Sequence, residues 1–586
     1  MRLGVVRVSA KRCTKMMERV AAVLINVYTK VTPERKRGKV MKGKRIFSLL
    51  LCVAMVVGLL SGCSTLNSVA TVEGVMESEK MAGIMADVEA RKEAILASET
   101  AIVRAWPFTP GETYTGTAYY ISNNGSDYNS GRSPNAPLAT LEPLHHRYIR
   151  SGDIIFFERG GTWRCQRDLN VPGVTYSAYG EGEKPKLYGS SQNGGGEEKW
   201  TLHHEGEDGE KIWVFHEEMT EVGAIILNGE TVVPRDVAHW NGADYQKKVD
   251  DGKITDDPYL VEEDLADMTC FPMLNYPEQQ DPFERIFWQW NEWTGEPEYV
   301  KGPLYFRCDE GNPGALYPDI EFVQPYPFSD GFAPNAVYDN LCYAYSGMGM
   351  CSGEYDGKPP ESVVIQNCEI AWMGGLVTRY ATGDPEIDGM FGFDEYFNFH
   401  REGGILSITG SNSTVRNNYL HGSFAEGVSL RVDEGQPSIS GNQITGNLLE
   451  DCMYGILLTN WNLEPDPEHM LVDCSITDNI VLACGANYLG GPPEKAVGEA
   501  KAIVMEGGPC ANQGLVVQGN TFALSKGPLI QIERLDEVYT KVFQGNTYAQ
   551  YTIGTGFRLL DRMTESKISK SNVETYLGDD AATVIR

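Results

Sequence analysis

In the C-terminal half of the chain, apolar residues come in short alternating bursts separated by Asn and Gly. Val415 to Val432 reads VRNNYLHGSFAEGVSLRV, and Gly446 to Thr459 reads GNLLEDCMYGILLT. Asparagine precedes an apolar pair in NNYL (Asn418), GNLL (Asn447), DNIV (Asn479), GNTF (Asn520) and GNTY (Asn546), with NCEI (Asn367) as an earlier member. The steps from Asn418 onward are 29, 32, 41 and 26 residues, the range of one structural repeat with insertions. After most copies a second alternation follows: GVSLR, GILLT, AIVME and GPLIQI. Period-two alternation predicts short strands, and the Gly and Asn between them supply turns with positive φ.

No single unit carries enough apolar surface to fold alone, so the units must stack. Side chains alternating into a continuous core, with equivalent positions about 4.8 Å apart on successive coils, describe a right-handed parallel β-helix. An antiparallel sandwich or propeller would need two-residue NG or DG hairpin loops, which are scarce after residue 360. The recurrent asparagines are expected to form a turn-stabilising ladder.

Upstream, YYISNNGSDYNSGRSPNAPLATLEPL (119–144), SGDIIFFERGGTWR (151–164) and VTYSAYGEGEKPKLYGS (174–190) resemble the cap and opening coils of extracellular β-helix proteins of the pectate-lyase-like superfamily. The resemblance implies that Gly125 and Asp127 shape the capping turn and that Gly152 and Asp153 open the first coil strand. Between about 191 and 330 the repeat lapses into an aromatic, acidic, Pro-rich stretch with strand-like segments, read as an inserted β-rich subdomain that rejoins the solenoid near Ile320.

The expected class is therefore all-β: a right-handed parallel β-helix solenoid with an inserted subdomain and an N-terminal helical tether. Residues 64–115 have helix-forming composition and read as a spacer, 116–190 as cap and first coils, and 331–586 as the main β-helix. Residues 41–63, MKGKRIFSLLLCVAMVVGLLSGC, resemble a bacterial lipoprotein signal, with a basic start, an apolar run too short to span comfortably and a small-residue ending. That resemblance implies cleavage before Cys63, lipidation of its thiol and an extracytoplasmic, surface-anchored protein. Residues 1–40 read as a leader annotated in error from an upstream start.

Charge narrows the partners. Residues 1–62 hold 14 Lys and Arg but 2 Asp and Glu, so the remaining chain has a formal charge of −42. Nucleic acid and anionic lipid call for a basic surface, so neither is expected as a partner beyond the lipid anchor itself. A monomer acting on a polysaccharide is the expectation. Of the ten cysteines after Cys63 none forms a CxxC pair, and several sit in strand-like contexts where a thiol serves as a small hydrophobe.

Candidate chemistry follows from register. Aligning AEGVSLR (425–431) with MYGILLT (453–459) and, allowing one extra glycine, REGGILS (401–407) places Glu402, Glu426 and Tyr454 at one turn position of successive coils. Carboxylates on adjacent coils would lie roughly 5 Å apart and on coils one removed about 10 Å, bracketing the separations of retaining and inverting glycosidases. Glu426 is the leading candidate, and the structural alternative is a pair of solvent-facing turn carboxylates. Glu506 aligns with Arg431 and Thr459, and Arg431 could orient a substrate carboxylate or hydroxyl. His421 and His400 flank the same coils as proton carriers or as hydrogen-bonded turn histidines.

DPEIDGMFGFDE approximates a calcium loop at Asp384, Glu386, Asp388 and Glu395, with Gly389 at the turn, so Ca²⁺ is the one cofactor considered and none is required. Trp372, Trp461 and Tyr396 are candidate sugar-stacking platforms. The leading expectation is a glycoside hydrolase using Glu402 and Glu426. One alternative is a polysaccharide lyase in which Arg401, Arg431 or Tyr454 takes part in proton transfer, and another is a non-catalytic glycan-binding envelope protein.

Overall fold

The computed structural model describes residues 79–99, 116–206, 209–235, 266–272, 288–291, 296–351, 355–380, 399–402, 404–433, 435–460, 468–485, 500–507, 512–532, 542–550, 557–559, 564–566 and 569–585. Cys63, Asp384, Glu386, Asp388, Glu395, Tyr396 and Trp461 lie outside them.

The apolar alternation builds a right-handed parallel β-helix. Among the described residues the first sheet has ten parallel strands, from Ala118–Ile121 to Phe543–Gln544, and the second has ten, from Thr162–Arg164 to Thr583–Ile585. A third sheet of seven runs from Leu406–Ile408 through Glu426–Val432, Tyr454–Asn460 and Lys501–Gly507, closing on an antiparallel strand, Thr564–Ser566. Inward positions such as Ile365, Val415, Ile444 and Ile476 of the first sheet merge with Leu430, Leu458 and Met505 of the third into one continuous core.

The Asn-containing dipeptides have a division of labour. The first residue turns the corner out of the first sheet with positive φ: Asn417 at 53°, Gly446 at 68°, Asp478 at 54°, Gly519 at 67° and Gly545 at 60°. The second is buried and joins a ladder in which Asn418, Asn447, Asn479, Asn520 and Asn546 each donate their amide to the next oxygen at 2.9–3.0 Å. Asp579 ends the ladder, accepting from the Asn546 amide at 3.0 Å. Asn367 is not a member. It occupies the corner position, φ 55°, and Cys368 stands at the ladder position, its backbone N–H donating to Asn418 Oδ1.

A second column of positive φ follows the second sheet at Tyr345, Trp372, Gly422, Asp451, Ala483 and Leu524. Even bulky residues adopt this conformation there, because the corner is repeated and neighbouring coils hold it in place.

The insertion is visible in the pairing. Thr175–Tyr179 pairs directly with Val337–Asp339, and Lys186–Tyr188 with Cys342–Ala344, so the intervening chain leaves the ladder and returns one coil later. Within it, Trp200–Glu205, Lys211–Phe215, Leu304–Arg307 and Thr269–Pro272 form an antiparallel sheet with a core of its own around Trp200, Phe215, Phe306 and Phe322. Ile320–Phe322 pairs antiparallel with Ala224–Leu227 and still belongs to the insert, and the chain rejoins the solenoid just after it: Gln324 bridges Ser346 and Phe328 enters the main core before the first sheet resumes at Val337. Arg164 of an early coil joins the two bodies by a bidentate pair with buried Glu321, at 2.6 and 2.7 Å.

The helix expected as a spacer is Glu79–Leu96, and it is docked. Met81, Ile84, Val88 and Ile95 pack on outward residues of the second sheet, among them Tyr419, Leu448, Ile480 and Ala549. Lys92 lies 4.7 Å over the Tyr419 ring, and Arg91 donates to the Asp478 carbonyl. Among the described residues no helix is long and apolar enough to cross a membrane, and all nine described cysteines are free.

Candidate functional site on the third sheet

The third sheet carries most of the predicted residues, and its register tests them. Glu426 pairs with Tyr454 and Tyr454 with Lys501, so an acid, a phenol and an amine occupy one position of three consecutive strands. The Lys501 ammonium is buried and lies 4.8 Å from the centroid of the Tyr454 ring. Glu426 and Tyr454 are each half-exposed. Ser429 Oγ donates to Glu426 Oε1 at 3.2 Å, and Ser407 and Ser429 are joined at 3.1 Å. The serine contact brings the Glu426 carboxylate onto the outer face, because Ser429 alternates with the core residues Val428 and Leu430.

Glu402 is not on this rung. Leu406 pairs with Val428, which sets the offset at 22 residues and places Gly404 opposite Glu426. A Cβ added at Gly404 would lie 2.3 Å from Glu426 Cδ, so the glycine leaves the room that the glutamate side chain fills. Glu402 instead pairs antiparallel with Leu376 in a two-stranded excursion, Leu376–Tyr380 with Phe399–Glu402. The sequence alignment was short by one residue because that excursion adds length ahead of the rung.

Glu506 does share a position with Thr459 and Arg431. It stands two strands and five residues from Glu426, and at about 4.8 Å per strand and 3.3 Å per residue the Cα atoms are roughly 19 Å apart. Carboxyl pairs in glycosidases span about 5–9.5 Å, well short of that backbone separation. Arg431 is held by Asp433 at 3.0 Å, with its Nε buried and without a partner among the described residues. Thr459 between them is fully buried, its hydroxyl likewise unpartnered.

Trp372 is no exposed platform. It is 7% exposed and packs with Ala224 and Ile226 of the insert, Tyr345 and Phe424, gluing the inserted sheet to the coils. His421 stands beside it, ring centroids 5.8 Å apart, and pairs with Glu369 at 3.2 Å while stacking on Tyr419 at 4.2 Å. Tyr419 in turn donates to Glu450 at 2.6 Å. Burial works against the Glu369 charge, but the hydrogen bond and charge of His421 outweigh it and hold the carboxyl below its usual range. These groups lie on the second sheet beside the docked helix, so His421 has a structural network of its own.

Lys501 was missed from the sequence. Aligning KAIVMEG with YGILLTN would have placed it opposite Tyr454, but the apolar match begins one residue later, at Ala502. A second unforeseen group is Asp168, buried inside the cylinder, which accepts from the Tyr338 hydroxyl at 2.7 Å. Burial raises its carboxyl to about 7 against the lowering effect of that bond. Among the described residues no three His, Cys, Asp or Glu side chains are grouped to hold a metal ion.

Comparison with known proteins agrees with the topology. Residues 347–574 match the family described as a right handed beta helix region. No curated protein sequence matches the chain. Similar solved structures include a XylC complex with xylose, at 14% identity over 74% of this chain and 68% of that one, TM-score 0.39. A GH136 lacto-N-biosidase from Eubacterium ramulus is 12% identical over 80% and 68%, TM-score 0.32, and a rhamnogalacturonan lyase 10% identical over 78% and 87%, TM-score 0.29. These neighbours are carbohydrate-active, but at such scores the likeness carries no argument about this chain's own chemistry.

Proposed function

We propose that the protein cleaves a polysaccharide across the outer face of the third sheet, with Glu426 as the proton-transferring carboxylate and Tyr454 beside it. The observation that supports this is the in-register sequence Glu426, Tyr454, Lys501: an acid, a phenol and an amine on one rung, with Glu426 and Tyr454 half-exposed. A parallel stack presents such groups at about 4.8 Å spacing, close to the rise of one sugar in an extended glycan. Lys501, being buried, acts through the Tyr454 ring and does not touch substrate. As part of the same reading, the lipid on Cys63 holds the enzyme at the cell surface.

Hydrolysis would add water across the glycosidic bond, with Glu426 giving its proton to the leaving oxygen while water bonds to the sugar carbon and returns a proton to the Glu426 carboxylate. Elimination is the second reading, favoured by the phenol next to Glu426. There Tyr454 would remove a carbon-bound proton from a uronate and the leaving oxygen would depart with a proton from Glu426, forming a carbon–carbon double bond. Incubation with a panel of neutral and uronate-containing polysaccharides separates them. New reducing ends without ultraviolet absorbance indicate hydrolysis, and absorbance from the conjugated product indicates elimination. Retained glycan binding with no turnover across the panel would defeat both and leave a binding protein.

A further inference from the structure

We propose that the N-terminal cap of the β-helix carries a surface site for an anionic glycan, separate from the third sheet. Among the described residues only four large hydrophobics are exposed, and the two most exposed are Tyr128 at 101% and Tyr148 at 88%. Scattered exposed apolar residues need no explanation, but two fully exposed tyrosines on adjoining loops do. Arg147 joins the loops: its guanidinium donates to the Ser130 carbonyl at 2.5 Å and the Asn129 carbonyl at 3.2 Å. The tyrosines are the immediate neighbours of this link, Tyr128 before Asn129 and Tyr148 after Arg147.

The Tyr128 loop is braced from beneath. Asp127 accepts from the backbone N–H of Ala139 and of Thr140, each at 2.9 Å, and from the Thr140 hydroxyl, while the Asn129 amide donates to the Pro137 carbonyl at 2.8 Å. A ring held out by a rigid loop costs little further ordering when it binds.

Charge identifies the ligand class. The exported chain is strongly acidic, yet residues 119–150 hold three arginines and two histidines against two carboxylates. Both carboxylates are engaged, Asp127 inside its loop and Glu142 with His146 at 3.2 Å. Arg132, His145 and Arg150 are exposed on the same stretch of chain as the tyrosines. Flat rings that offer a face to sugar C–H groups, on a segment with exposed cations, suit a polysaccharide bearing carboxylates. The choice of a glycan rests on the proposed function. The test reads binding and not turnover, so the two can fail separately.

Affinity electrophoresis of the full-length protein in gels containing polygalacturonate, against gels containing neutral dextran, tests this site. Retardation by polygalacturonate alone is expected. In the Y128A/Y148A double variant the apparent affinity should fall about tenfold, with a comparable loss in R132A/R150A and an unchanged melting temperature in both. No retardation, equal retardation by dextran, or wild-type retardation in both double variants would overturn the proposal. Duplex DNA competing as well as polygalacturonate would also overturn it, since charge alone would then account for binding.

Discussion

Two stacks of side chains run along the same cylinder. At the corner of the first sheet, Asn418, Asn447, Asn479, Asn520 and Asn546 repeat one residue through five coils, every member 0–1% exposed and each amide bonded to the next. At the start of the third sheet, Gly404, Glu426, Tyr454 and Lys501 never repeat. In the ladder each amide must bond to the next, so that position keeps one residue, whereas the corner after the second sheet asks only for a backbone conformation and varies from Tyr345 to Leu524. The rung of Glu426 and Tyr454 is free of the ladder's demand, and both side chains are half-exposed and so available for a ligand. The two stacks should therefore respond differently to substitution.

The sharpest break is Glu426→Gln, which keeps the shape and removes the proton chemistry. Glycan cleavage should fall by about 10²- to 10⁴-fold with no change in melting temperature. Unaltered turnover would move the chemistry elsewhere.

The opposite behaviour is expected of Asn479→Ala in the ladder. The side chain makes four hydrogen bonds, two donated by its amide and two accepted by its oxygen, all to buried partners. Stranding them should cost about 3 kcal/mol of stability, read by denaturant unfolding, while glycan cleavage by the folded fraction stays at the wild-type value.

Asp168 extends the comparison to a buried polar group outside either stack. Its carboxyl is raised to about 7, chiefly by burial, so the folded protein holds a proton there that the unfolded chain releases near pH 4. Stability from this group is complete at low pH and is lost as pH rises from about 4 to 7, then levels off. Asp168→Asn should flatten that decline and leave the protein about 1–2 kcal/mol more stable than wild type at pH 8, checked by urea unfolding across pH.

A smaller loss of stability than in the ladder is expected at Lys501→Met, which retains most of the buried stem and removes the cation over Tyr454. A loss of about 0.5–2 kcal/mol is expected from the cation–π contact, with a measurable drop in cleavage as the ring loses its anchor. A drop in stability without a change in cleavage would assign Tyr454 to the fold.

Much of the architecture was readable because parallel coils leave a periodic trace. The alternation announced short strands, the Asn dipeptides marked the corners, and the lapse after residue 190 marked the insert. NCEI was misassigned because the dipeptide contains two different roles, a left-handed corner and a ladder rung, and only pairing distinguishes them. Trp372 was read as a platform because its neighbours in sequence say nothing of the inserted sheet that covers it. The helix at Glu79–Leu96 was recognisable from composition, but its docking was not, since the sheet face receiving it is assembled from residues 419 to 585.

The sequence alone determined that this chain stacks repeated units into a solenoid, because hydrophobic alternation and left-handed corners are local properties written residue by residue. Tertiary structure decided which acid faces which neighbour. Strand register sums every insertion between coils, so the excursion from Leu376 to Glu402 shifted one glutamate off the rung and put a glycine opposite Glu426. Hydrogen bonding across strands, and not spacing along the chain, sets that offset.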